Sequence, residues 1–179
     1  MDKKKSRSQS ARRSRRKGAS FEREVVRKLT EALYPDGSGS VRRTPLSGGW
    51  GAFVRADGVA FKGKVENGSL QLDKRWDIHL ECKIREDLSN VWFFALGGDN
   101  PVQWFLEARR KASHPVVLVF RRSGCKETYF MMELEEAWKK FNENLPEKYL
   151  LLTLKEEIFI IGDFNDFLAL LKKVWFKEV

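Results

Sequence analysis

The stretch Trp76-Asp77-Ile78-His79-Leu80-Glu81-Cys82-Lys83-Ile84 decides how the chain is read. Its residues alternate. Trp76, Ile78, Leu80, Cys82 and Ile84 make one apolar face, which is the signature of a β-strand packed on a core. Asp77, His79, Glu81 and Lys83 make the other face, and all four are ionisable. On a wet edge strand that pattern carries no information. Apolar strands flank this one in sequence on both sides, so the expectation is a central strand. An acid and a lysine two residues apart on one face of a central strand suggest a metal ligand beside a water-activating cation. The matching chemistry is phosphodiester hydrolysis, in which a divalent ion polarises the phosphate and lowers the pKa of bound water.

Working outward, Ser20 caps a helix that runs to about Tyr34 and is stopped by Pro35-Asp36-Gly37. A Gly-, Ser- and Arg-rich loop fills 37–51. A hairpin follows, with one strand near Phe53–Phe61, a turn at Glu66-Asn67-Gly68 and the 76–84 strand as its second arm. Pro101 opens a helix through Ala112, and Val116–Arg121 and Thr128–Met132 form an antiparallel pair. Glu133–Asn144 is helical, with Leu134, Trp138 and Phe141 on one face. Strands Leu150–Leu154 and Ile158–Ile161 precede a last helix, Asp163–Lys177. This is an α/β fold, a central mixed β-sheet flanked by helices. It is not doubly wound, because hairpins join too many of the strands.

The 179 residues suit one domain, with 42% apolar and 12% aromatic residues. No apolar run exceeds six residues, too short to span a membrane. The charged start, with no apolar stretch behind it, predicts no secretory signal, so the protein is expected in the cytoplasm. Two cysteines and two histidines exclude a disulfide scaffold and a zinc finger. Of the +9 net charge, residues 1–17 hold nine bases and one acid, leaving 25 bases and 24 acids for the rest. The body is therefore nearly neutral. Residues 1–17, with Arg12, Arg13, Arg15, Arg16 and Lys17, read as a disordered basic tail that holds a polyanion through phosphate contacts.

On the first helix, at 100° per residue from Phe21, the apolar residues Phe21, Val25, Val26, Leu29, Ala32 and Leu33 span about 140°. Glu22 falls at about 100°, inside that arc, and Glu24 at about 300°, on the polar side. A carboxylate on a buried face needs a partner, whether structural or functional.

Glu-x-Lys on a strand, an acid on the strand before it and a glutamate on the preceding helix resemble the PD-(D/E)xK nuclease superfamily. Within it, Lys17-Gly18-Ala19-Ser20-Phe21-Glu22-Arg23-Glu24 is similar to the opening helix of archaeal-type Holliday junction resolvases and their phage-encoded relatives. Arg42-Arg43-Thr44-Pro45-Leu46-Ser47-Gly48-Gly49-Trp50 is similar to their Arg-x-x-x-Ser-Gly segment. Pro101–Ala112 with Pro115–Phe120 resembles their post-motif helix and strand. The resemblance covers roughly 17–132, which makes 18–132 a restriction-endonuclease-like core and 133–179 a helix-strand-strand-helix extension of the same domain.

The resemblance implies a metal-dependent, structure-selective DNA endonuclease, a Holliday junction resolvase above all. It implies Glu22, Asp57 and Glu81 as ligands of Mg²⁺, for which Mn²⁺ can substitute. Lys83 would activate water, and Ser47 with Arg43 would lie near the scissile phosphate, with Arg23 as a further DNA contact. Asp77 is the reserve for the strand acid. It lies four residues from Glu81 on one strand, about 13 Å away at ~3.3 Å per residue, too far to share a magnesium readily. Asp57 begins a separate strand that can lie beside Glu81. Gln103 is the only glutamine on the post-motif helix, although Glu107 stands at the aligned position. The partners implied are branched or double-stranded DNA and a second copy of the chain, with the host-cell cytoplasm as location for a phage-encoded protein. The last helix, with Phe164, Phe167, Leu168, Leu171, Val174 and Trp175, either makes the dimer contact or packs on its own core. Other readings are a restriction, repair or replication nuclease of the superfamily, or a non-catalytic nucleic-acid-binding protein on the same fold.

Overall fold

A computed structural model describes residues 3–37, 40–42, 59–61, 78–85, 101–112, 115–141 and 144–177. In chain order the elements are α1 (Lys3–Leu33), β1 (Ser40–Arg42), β2 (Val59–Phe61), β3 (His79–Arg85), α2 (Pro101–Lys111), β4 (Val116–Arg122), β5 (Tyr129–Glu133), α3 (Leu134–Phe141), β6 (Tyr149–Leu154), β7 (Glu157–Asp163) and α4 (Phe164–Lys177). Five strands form one mixed sheet in the order β3-β4-β5-β7-β6. β3 and β4 are parallel, with Glu81 opposite Leu118 and Lys83 opposite Phe120, and every other pairing in this sheet is antiparallel. A parallel pair needs a crossover, and α2 supplies it. The two strands of the 133–179 segment lie in this sheet, with β7 between β5 and β6.

Alternation along the strands builds two cores. Leu80, Val117, Val119, Phe130, Met132 and Ile160 meet α1, α3 and α4 on one face. Leu118, Phe120, Met131, Phe159 and Ile161 meet Trp104, Phe105 and Ala108 of α2 on the other. Arg109 bolts α2 to the sheet by reaching Glu133 of β5 and Glu157 of β7, at 2.5 and 2.8 Å. Its hydrogen bonds to the accepting carboxylates of Glu157 and then Glu133 hold the guanidinium above its ordinary pKa. Asp163 caps α4 by accepting from the Asn165 N–H at 2.7 Å. Gly162 is required by close approach, since a Cβ there would lie 2.7 Å from Cε1 of Phe130.

Several expectations are corrected. The segment 1–17, expected to be disordered, is helical from Lys3 onward as part of α1. Arg, Lys, Gln and Ala are good helix formers, and a helix already nucleated on the core extends cheaply through them. The expected hairpin between Phe53–Phe61 and the 76–84 strand rests mostly on residues outside the described ones; among the described residues β2 pairs with β1 and β3 with β4. Phe53–Gly58, Glu66–Gly68, Trp76 and Asp77 lie outside the described residues. Among the described residues β3 is an edge strand, because its one pairing is the non-local one with β4. Trp138 does not share the buried face of α3 with Phe141 but is exposed. Phe164, Phe167, Leu168 and Leu171 of α4 are buried in their own core, which takes them out of any dimer contact.

Candidate active site

The Glu81–Lys83 pair follows from the period of the strand. Ile78 and Leu80 are buried toward α1, and Cys82 and Ile84 pack against the same cluster. His79, Glu81 and Lys83 therefore project from the opposite face, the one covered farther along the sheet by α2. There the Lys83 ammonium lies 2.8 Å from a Glu81 carboxylate oxygen, both side chains being about a quarter exposed (34% and 20%). Beside them the register sets Leu118 and Phe120, both fully buried. The ion pair thus has an apolar floor on one side and water on the other, where Coulomb attraction is stronger than at an open surface. At the end of β3, Arg85 lies over the Trp104 ring at 5.9 Å, which ties the strand end to the first turn of α2. Gln103, exposed on that same turn, sits at this end of the sheet.

Helix α1 brings its carboxylates to the same end by another route. The Arg121 guanidinium, level with Ile84 in the register, lies 4.6 Å over the Phe21 ring and forks onto Glu24 at 2.8 and 3.0 Å. Glu24 is therefore not the solvent-facing acid that the helical wheel predicts. It is half-buried against β4, because Arg121, next to last in that largely apolar strand, reaches up to it. On the other flank, the Thr30 hydroxyl accepts from the Val41 N–H at 3.0 Å and donates to the Val26 carbonyl at 2.9 Å. That hydroxyl fastens β1 to α1. Glu22 lies about 160° around the helix from Glu24. It is half-buried, as the wheel expects.

The structure brings Glu81 and Lys83 into contact, and places Glu22 next to Phe21, whose ring lies under Arg121 on the opposite face of the sheet. Asp57, Asp77, Arg43 and Ser47 lie outside the described residues. Among the described residues, no three of the His, Cys, Asp and Glu side chains are close enough to hold a metal ion. Arg12, Arg13, Arg15, Arg16, Lys17 and Arg23 are all exposed along α1. Sequence reasoning missed Arg121. Its signal was a charged residue directly following the run Val116–Phe120, where a strand leaves the core.

A family model described as "Phage putative PDDEXK endonuclease" matches residues 13–178. The chain belongs to this family. It is a PD-(D/E)xK-type endonuclease of phage kind. Neither the curated proteins nor the solved structures give a match. The family's extent is itself a finding. It starts within the basic part of α1 and runs through α4, so this endonuclease unit includes the C-terminal strands and helix that the sequence resemblance left out. No helix among the described residues is long and apolar enough to cross a membrane.

Proposed function

We propose that this endonuclease is a Mg²⁺-dependent, structure-selective enzyme of the Holliday junction resolvase type, acting as a homodimer in the host-cell cytoplasm. The observation that carries the proposal is the Glu81–Lys83 pair at 2.8 Å on β3, in a chain whose first helix carries both Glu22 and a basic extension. In this reading Glu81 and Glu22 supply carboxylate oxygens, the donor type a hard divalent ion takes, and Asp57, two residues before β2, supplies a third. The bound ion would polarise the phosphate and acidify a water. Lys83, held by Glu81, orients the attacking water and faces the charge that develops on phosphorus oxygens. Arg23, Arg43, Ser47 and the bases of α1 position the backbone without reading sequence. Gln103, at the near end of α2, is a further candidate contact. A four-way junction has two-fold symmetry and needs two opposed nicks, which two identical subunits deliver in one binding event.

The test is incubation with four-way, forked and linear duplex DNA, with Mg²⁺, Mn²⁺ or a chelator. Paired nicks on the junction in Mg²⁺, lost in chelator, are expected. Glu81→Gln and Lys83→Ala should abolish cutting and keep DNA binding, and normal cutting by either removes this assignment of the site. Asp57→Asn should be more damaging than Asp77→Asn, and the reverse order would transfer the ligand role to Asp77. Preference for linear duplex would point to a restriction or repair type instead, and no cutting under any condition to a non-catalytic binding protein.

A further inference from the structure

The far edge of the sheet carries a feature that the nuclease site does not use. β6, Tyr149-Leu150-Leu151-Leu152-Thr153-Leu154, has no charge within it and pairs only with β7 among the described residues. Soluble proteins protect such edges with lysines, prolines, bulges or a covering element. Among the described residues no strand covers this edge, and it is apolar. Leu150 and Leu152 pack inward on the α2 side. Tyr149 and Leu151 face the α3 side, as does Ile158 of β7, while Leu154 ends the strand. These four residues and Trp138 of α3 are the exposed large apolar side chains among the described residues, between 38% and 54% accessible, with Leu151 the highest.

We infer that β6 is the two-fold interface of a homodimer, in which it pairs antiparallel with β6 of a second copy and joins the two sheets edge to edge. The charges flanking the strand suit a second copy in this arrangement. Pairing centred on Leu151 sets Tyr149 opposite the partner's Thr153 and brings Glu147, just before the strand, to the end where the partner's Lys155 follows its own strand, so that opposite charges meet on both sides of the axis. A slip to a centre between Leu151 and Leu152 sets Lys148 against Lys155 and Glu147 against Glu156, which like charges disfavour. Glu147 and Lys155 are both exposed and available for this pairing. The area is also of the right order. At roughly 200 Å² for a large side chain, the exposed fractions leave about 440 Å² on one copy and about 900 Å² on two, before backbone and rim are added, against a lower bound of about 1,200 Å² for a stable interface. The pairing closes on itself, since the remaining edge, β3, lies at the opposite end of each sheet.

The experiment is sedimentation of the full chain, without DNA, at tens of micromolar, so that its outcome is independent of any cutting activity. Wild type should run as a dimer and Leu151→Lys as a monomer with an unchanged circular dichroism spectrum. Under mild oxidation Leu151→Cys should cross-link as a dimer where wild type, with Cys82 and Cys125 intact, does not, which tests the register even if the lysine variant fails to fold. A monomeric wild type, a dimeric Leu151→Lys, or a soluble Leu151→Cys dimer that does not cross-link on the axis would each overturn the inference.

Discussion

Glu22 and Glu24 stand two residues apart on one helix, and their removal should separate stability from catalysis. Glu24→Gln keeps the side chain's shape and deletes the charge. It leaves the Arg121 guanidinium, only 15% exposed, without its counter-charge and with one carbonyl acceptor in place of two carboxylate oxygens. An open surface pair contributes about 0.5 kcal/mol, and breaking a fully buried pair costs about 3–5 kcal/mol. With Glu24 at 31% exposure the cost should fall between these limits, about 2 kcal/mol. For a chain of this size that lowers the melting temperature by roughly 4–8 °C. Combining Glu24→Gln with Arg121→Met in a double-mutant cycle, followed by denaturant unfolding, should give a coupling of about 1.5 kcal/mol. Nuclease assays well below the melt should find Glu24→Gln active and Glu22→Gln inactive, with Glu22→Gln far closer to wild type in stability. A coupling under about 0.5 kcal/mol would refute the claim that Arg121 locks α1 onto β4. Loss of cutting in Glu24→Gln at an unchanged melting temperature would assign the catalytic role to the wrong acid.

Gly162→Ala should lose about 1–3 kcal/mol in denaturant unfolding, because its Cβ meets the Phe130 ring, which Phe167 holds from the other side at a centroid distance of 5.0 Å. Deleting residues 1–16 removes eight bases and one acid and no buried side chain described here, so the melt should persist. If half of those bases touch phosphates, the slope of log affinity against log salt should become shallower by about 3.6 units, and an unchanged slope would detach this segment from DNA binding.

What was legible in the sequence was local. The strand face Ile78–Ile84, the helix ending at Pro35 and the helix opened by Pro101 follow from periodicity and from stop and start residues, and the structure has all three. What was not legible depends on partners distant in the chain. Alternation says that Glu81 and Lys83 share a face, but not that β3 pairs in parallel with β4 across α2. The helical wheel gave Glu22 its half-buried position and missed Glu24, because the arginine that covers Glu24 comes from 97 residues away. Net charge per segment suggested an unfolded tail at 1–17, although the same lysines and arginines have high helix propensity once α1 has been nucleated by Phe21, Val25 and Leu29.

The continuity of α1 has a rotational consequence. Because Arg12, Arg16 and Glu22 belong to one helix, their angular relation is fixed like that of marks on a shaft. An alanine inserted after Lys17 would turn every base before it by about 100° relative to Glu22 and advance it about 1.5 Å, whereas four alanines would return them to within about 40°. Cutting of bound DNA should therefore oscillate with the number of inserted residues, at the period of a helical turn. A loosely tethered segment would show only a monotonic decline. The beat of that oscillation measures whether positive charge is merely carried near the nuclease or aimed by it.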